Sequence, residues 1–265
     1  MEKTIHFIAG LPRAGSTLVT NILKQNPKIH GEAVSSLSAL IASVHANWYS
    51  YDANREYENL SAKSGVLRGI LTGYYAHIDV PIIFDKDRQW VSQIGLLENI
   101  LEAPVKILCM VRNPAEILTS FEKIRKSNPH FPVLPDQVLK EGSTIASRAY
   151  FYAGPTGPLG LAHANLNDAI TMGYKDKLLF VDYNRFCNTP KSQTKRIYDF
   201  FELPTFEHNF QQIEQIEHYN DVVVGLPNLH KIKSSVERTT TNCVEYLGLD
   251  LYQQYNAQIF WDAWI

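Results

Sequence analysis

The 265-residue sequence is short of cysteine, of any excess charge and of long apolar runs, and each shortage removes a class of function. Its three cysteines, Cys109, Cys187 and Cys243, stand far apart. They form no Cys-x-x-Cys pair and no His/Cys cluster at metal-ligand spacing, so neither a disulfide framework nor a structural zinc site is expected, and a reducing compartment is. With 25 Lys and Arg against 27 Asp and Glu, the net charge is -2. Surfaces that hold nucleic acid or anionic membrane work through excess cations, so no nucleic-acid partner is expected, although a local basic pocket remains open. No apolar run approaches the roughly 18 residues of a membrane span, and the opening MEKT is too polar for a signal peptide. A cytoplasmic protein without a membrane span is expected. No Pro/Gly/Ser-rich or charge-block linker divides the chain, and 45% hydrophobic residues can fill one substantial core. One domain over residues 1–265 is therefore expected.

What is present is an alternation of short apolar runs with helical patterns, the mark of an α/β fold around a central parallel sheet flanked by helices. The predicted strands are IHFIA (5–9), PIIFD (81–85), VKILCMV (105–111) and LLFVDY (178–183). Continuous apolar strands of this kind are buried on both faces. Between them, Val34, Leu37, Leu40, Ile41 and Val44 form one stripe at helical period, from a helix expected to begin near Ala33, and Ile117, Leu118, Phe121 and Ile124 form another. The stretch FYAGPTGPLG (151–160) reads as a loop between two helices.

Ligands of open parallel sheets bind beyond the carboxyl ends of the strands, so the residues just after each strand carry the functional information. After the first comes GLPRAGST, in which Gly10 and Gly15 permit close backbone approach while Ser16, Thr17 and free N–H groups open a helix. The outline is that of a phosphate-binding loop. Yet Ser16 stands where a nucleotide triphosphatase would place lysine, and Arg13 is the loop's sole cation. Lys86, Asp87 and Arg88 follow the second strand; Arg112, then Asn113 and Pro114 at N-cap and N1 positions, follow the third. Three cationic strand ends on one sheet edge imply a multiply anionic ligand.

These residues carry a family resemblance. The loop GLPRAGSTL resembles the 5′-phosphosulfate loop of sulfotransferases, above all the Gly-x-Pro-Arg-Ser-Gly-Thr-Thr-Leu form of tyrosylprotein and many bacterial members. ILCMVRNPAEILTSF is similar to the family's 3′-phosphate motif, a strand ending in Arg with Ser eight residues later. FDKDRQW resembles the Asn-Lys-Asp-Pro segment of the tyrosylprotein branch, and LFVDYNRFCNTPKSQTKRIYDFFELP the Arg-Tyr-Glu-Asp-Leu strand with its helix. The matches run in family order from about residue 5 to 205.

The resemblance implies a P-loop-like sulfotransferase fold and transfer of a sulfuryl group from 3′-phosphoadenosine 5′-phosphosulfate (PAPS), leaving 3′-phosphoadenosine 5′-phosphate (PAP), with no metal. It assigns Arg13, Ala14, Gly15, Ser16 and Thr17 to the 5′-phosphosulfate, and Arg112 and Ser120 to the 3′-phosphate. Lys86 goes to charge on the leaving oxygen and Glu32 to the proton of the acceptor hydroxyl, with His30 and His45 as reserve bases. Tyr183 and Lys233 complete the nucleotide pocket; Asn184 and Arg185 replace the acids that follow the family's tyrosine. A P-loop kinase or small-molecule phosphotransferase remains an alternative, with Asp85 as its magnesium-holding acid, as does a noncatalytic nucleotide-binding module. The acceptor's class, whether phenol, sugar, lipid or peptide tyrosine, is not readable. Its pocket is expected between residues 34–80 and 125–172, where Trp48, Tyr49, Tyr51, Tyr74, Tyr75, Phe131, Tyr150 and Phe151 occur.

Overall fold

A computed structural model describes residues 3–57, 59–128, 144–215, 220–224, 228–238 and 240–265; Phe131 lies outside them. Five parallel strands, β1 (Thr4–Gly10), β2 (Ile29–Gly31), β3 (Ile82–Lys86), β4 (Ile107–Val111) and β5 (Leu178–Asp182), form one sheet in the order β2-β3-β1-β4-β5. Four of them fall on the predicted runs. The fifth, Ile29-His30-Gly31, is too short and too polar to announce itself; it exists because β3 offers an edge to pair with. Every residue of β4 is buried, as a central strand covered on both faces requires.

Helices cover the two faces: α1 (Ser16–Leu23), α2 (Leu37–Asn47), α3 (Asp52–Glu56), α4 (Leu60–Tyr74), α5 (Ile94–Leu101), α6 (Pro114–Ser127), α7 (Ile145–Ala153), α8 (Pro158–Thr171), α9 (Tyr183–Asn188), α10 (Pro190–Phe200), α11 (Cys243–Leu247) and α12 (Leu249–Asn256). Helix α6 begins as its sequence dictates. Pro114 occupies the first turn and the Asn113 side chain accepts a hydrogen bond from the Ala115 N–H. Asn113 also donates to Asn256 Oδ1 at 2.9 Å, so α12 braces the residue that follows Arg112. Helix α2 starts at Leu37 rather than near Ala33, which leaves Val34 in the connection after β2 and Leu40 on the surface. The FYAGPTGPLG stretch turns between α7 and α8, as expected.

Two buried polar arrangements brace the site's surroundings. Asp85 in β3 is fully buried and accepts hydrogen bonds from Tyr75 Oη at 2.5 Å and Trp90 Nε1 at 2.6 Å, tying α4 and the Arg88–Gln93 turn to the sheet. Burial pushes its pKa up, while bonds from Ser35, Tyr75 and Trp90 oppose the rise. Glu122 of α6 receives a bidentate pair from Arg148 of α7, at 2.6 and 2.7 Å, and this pair is also buried. Removing one partner of such a pair strands the other's charge, so it holds α7 against α6.

His6 of β1 packs among Phe84 and Phe201, and burial followed by repulsion from Lys106 lowers its pKa to about 4. Above pH 6.5 it is neutral in both folded and unfolded chains and pH has no leverage. Below 6.5 the unfolded chain takes up a proton that the folded one refuses, so stability falls until the pH reaches the folded value. At pH 5 the loss is about 2 kcal/mol. Urea unfolding of wild type and His6→Phe at pH 7 and pH 5 measures it; the variant is expected to lack this part of the acid-side slope.

Candidate functional site

Strand order fixes where a ligand can lie. From β1 the chain runs out to the edge strand β2 and back to β3 on one side, then crosses to β4 and β5 on the other, so the crevice between the β1 and β4 ends is the switch point of the sheet. A cavity of about 740 Å³ opens there. It is lined by the loop after β1, the ends of β3 and β4, the start of α9, one face of α6 and the segment 229–237.

The loop after β1 is shaped by close approach. Gly10 has φ 118° and an added Cβ would strike the backbone of Met110. Gly15 has φ 85°, and a Cβ there would sit 2.5 Å from the Tyr183 ring. Between them Arg13 adopts φ 57°, a left-handed conformation that is costly for a residue with a Cβ and that concentrates at ligand-binding sites. Gly15 caps α1 without a side chain and no acid occupies the first turn, so the helix presents its N–H groups and positive dipole end toward the cavity. Ser16 and Thr17 line it; Ala14 is fully buried and does not.

The three cationic strand ends do converge. Lys86 donates to Thr17 Oγ1 at 3.2 Å, above the first turn of α1. Burial, then repulsion from Arg88, lowers its pKa to about 8, with Arg13 contributing further and Asp87 and Asp221 opposing. Arg13 donates from Nε to Ser120 Oγ at 3.2 Å and from Nη1 to the Leu229 carbonyl, and burial followed by the nearby Arg112 lowers its pKa. Arg112 is 8% exposed, donates to Glu116 Oε2 at 2.8 Å and to the Arg13 carbonyl at 3.3 Å, and lies 4.5 Å above the Tyr183 ring. Glu116 also accepts from Asn184, the residue that replaces the expected acid. Lys233 reaches the cavity from the late segment while pairing with Glu237 at 3.4 Å. Among the described residues, seven cations line this space against three carboxylates, Asp87, Glu116 and Glu237.

Not every expected residue joins them. Glu32 follows β2, but its carboxylate pairs with His30 Nε2 at 3.3 Å, and the cavity wall is built from the next residues, Ala33 and Val34. Neither His30 nor His45 lines the cavity. Asp85 does not line the cavity either: its carboxylate oxygens accept from Tyr75 and Trp90 in the core. Among the described residues no group of three or more His, Cys, Asp or Glu is placed to hold a metal ion. Of the eight aromatics expected near the acceptor, Phe151 lines the cavity; Tyr75 is core, and Tyr51 and Tyr150 are exposed.

Residues with no role in the site assigned from the sequence complete it, Phe121 having read there only as part of a helical stripe. Phe121 of α6 stacks on Tyr152 of α7 with centroids 4.3 Å apart and planes 5° from parallel, forming a wall beside Phe151 and Pro158. His230 lines the cavity with Nδ1 2.5 Å from Asp221 Oδ1, while its backbone N–H donates to Asp221 Oδ2 at 2.8 Å. Nothing in the segment NLHKIKSS marks a histidine held by a carboxylate nine residues earlier.

The family model described as "Sulfotransferase family" matches residues 6–208, well over half of the chain. Among curated proteins, none matches in sequence. Several solved structures share the fold. The sulfotransferase domain from the curacin biosynthetic pathway superposes with a TM-score of 0.58 at 13% identity, over 96% of this chain and 97% of that one. The sulfotransferase domain of the Synechococcus PCC 7002 olefin synthase gives 0.50 at 20% identity, covering 95% and 93%. Mouse sulfotransferase SULT7A1, solved as a complex with PAP, gives 0.56 at 12% identity, covering 97% and 82%. At these identities the likeness is one of fold.

Proposed function

The chain belongs to the sulfotransferase family, and we propose that it acts as one domain over residues 1–265, transferring a sulfuryl group from PAPS to an acceptor hydroxyl by in-line displacement. The observation that carries the choice of donor is the convergence of Arg13, Lys86 and Arg112 with the bare N-terminus of α1 in one cavity. Two separated anionic groups fit this arrangement. The loop N–H groups, Ser16 and Thr17 suit a 5′-phosphosulfate over β1, and Arg112 with Ser120 suits a 3′-phosphate about one strand away over β4. Gly15 packs so closely on the Tyr183 ring that a Cβ would not fit, which draws the loop against that tyrosine.

Bound PAPS supplies an activated sulfuryl group and a good leaving oxygen on its 5′-phosphate. The protein supplies alignment and fixed charge. Lys86 sits where an ammonium can stabilise the leaving oxygen. Arg13, whose present partners are Ser120 and Leu229, spans the distance between the two anionic groups. A sulfuryl group carries less charge than a γ-phosphate, so these donors suffice without the Walker lysine. The acceptor this cavity favours is a hydroxyl on an apolar body, because Val34, Phe151, Pro158 and the Phe121–Tyr152 stack line it.

Calorimetric titration with PAP and with ATP, each in excess EDTA and in excess magnesium, tests the donor assignment. PAP is expected to bind much more tightly than ATP and equally well in EDTA. A magnesium-dependent preference for ATP would overturn it in favour of phosphoryl transfer. Tight PAP binding with no consumption of PAPS would instead support a nucleotide-binding module.

A further inference from the structure

Resting on the reading of the cavity as a sulfuryl-transfer site, we propose that His230, oriented by Asp221, is the general base that takes the proton from the acceptor hydroxyl, in place of Glu32.

A general base must line the space where the reacting hydroxyl sits and be held in one tautomer. His230 lines the cavity; Glu32 does not, and its carboxylate is turned to His30. The Asp221 carboxylate takes Nδ1 with one oxygen and the His230 backbone N–H with the other, a two-point grip that fixes the ring. With Nδ1 committed to donating toward Asp221, the proton-accepting atom is Nε2. Asp221 itself is 6% exposed, so its charge is little screened by water.

The segment carrying the ring is fastened to the donor site. Arg13 donates to the carbonyl of Leu229, the residue before His230, and Gln215 Nε2 donates to the His230 carbonyl at 3.4 Å. Placement of the base therefore depends on the loop that binds the phosphosulfate. The charged groups around the ring are Asp221 on its own segment, Arg13 from the loop after β1 and Lys86 from the end of β3; Asp87, Arg88, Lys231 and Lys233 line the same cavity. Burial is the largest influence on His230 and lowers its pKa, Asp221 opposes, and Lys86 and Arg13 lower it further. The ring is thus neutral near pH 7, the form that accepts a proton.

The step balances without a further reactant. As the acceptor oxygen forms its bond to sulfur, its proton passes to Nε2. The bond from sulfur to the 5′-phosphate oxygen breaks, and its electron pair leaves on that oxygen beside Lys86. The imidazolium formed is stabilised by Asp221, which acts as a positioning residue and is not itself protonated.

The test uses the full chain and two readouts. Turnover is followed as PAPS consumption with 2-naphthol as the probe acceptor and with water, which also must lose a proton when it attacks. His230→Gln is expected to keep PAP affinity and lose about 10²- to 10⁴-fold in turnover, together with the acid limb of its pH–rate profile; Glu32→Gln is expected to keep both. Nitrogen-15 spectra of the imidazoles, with the His230 resonance identified by its loss in His230→Gln, are expected to show a neutral Nδ1–H tautomer at pH 7.5. In Asp221→Asn that tautomer preference is expected to be lost. Wild-type turnover in His230→Gln, loss in Glu32→Gln alone, or an Nε2–H tautomer would each overturn the proposal while leaving sulfuryl transfer intact. Failure of the wild type to consume PAPS would instead overturn the functional reading on which it rests.

Discussion

Lys86→Met is expected to lower turnover by about 10²- to 10³-fold while changing PAP affinity far less, because an electrostatic stabiliser aimed at developing charge acts mainly in the transition state. Methionine keeps the length and apolar stem of the side chain and removes the ammonium that sits over Thr17 and the first turn of α1. The loss should appear in kcat and kcat/KM together. The pH dependence provides a second measure. Burial and the neighbouring Arg88 place Lys86 at about 8, so the ammonium is the majority form at pH 7 and is lost as the pH rises through 8. The kcat/KM profile of the wild type should therefore fall on its alkaline side from about pH 8. Lys86→Arg, whose guanidinium stays protonated, should carry no such limb whatever its absolute rate. An unchanged alkaline limb in Lys86→Arg would assign it to another group.

Arg112→Ala is expected to weaken PAP binding by about 1.5 to 3 kcal/mol, the worth of a charge-assisted hydrogen bond, or roughly ten- to a hundredfold. Affinity for adenosine 5′-phosphosulfate, which has no 3′-phosphate, should hardly change. The contrast matters because Arg112 also has structural partners: it donates to Glu116 and to the Arg13 carbonyl and covers the Tyr183 ring. If it served only to hold those groups, its loss would loosen the phosphate-binding loop and weaken both ligands alike. Calorimetry with the two nucleotides on both proteins separates the cases, and equal weakening would remove Arg112 from the 3′-phosphate.

Much of this site is legible in the amino-acid sequence because its chemistry is local. The turn between β1 and α1 has to hold glycines at Gly10 and Gly15, an N-terminal Ser and Thr, and a cation, within eight consecutive residues, and the Arg-Asn-Pro run after β4 carries its own N-cap and helix start. A strand buried on both faces is apolar throughout, so β1, β3, β4 and β5 are visible as runs. In contrast, β2 has three residues and no pattern to offer. Its existence, and the start of α2 at Leu37, follow from what pairs and packs against them.

The sequence by itself determined the α/β class, the polarity of the strand ends and the arrangement of one loop for an anion, since each depends on residues within a few positions of one another. Only the tertiary structure decided which charges share the cavity. Asp85 and Lys86 are adjacent in sequence, yet alternation along β3 sends the carboxylate into the core against Tyr75 and Trp90 and the ammonium to Thr17. Glu32 lies in the segment that follows β2 and still turns to His30. His230 and Asp221 come from the stretch beyond residue 208, after the family match ends, and meet the loop of Arg13 across more than two hundred residues because the 229–237 segment folds over the β1 end of the sheet. A contact of that range leaves no local pattern, for its partners answer to the shape of the cavity and not to each other's place in the chain.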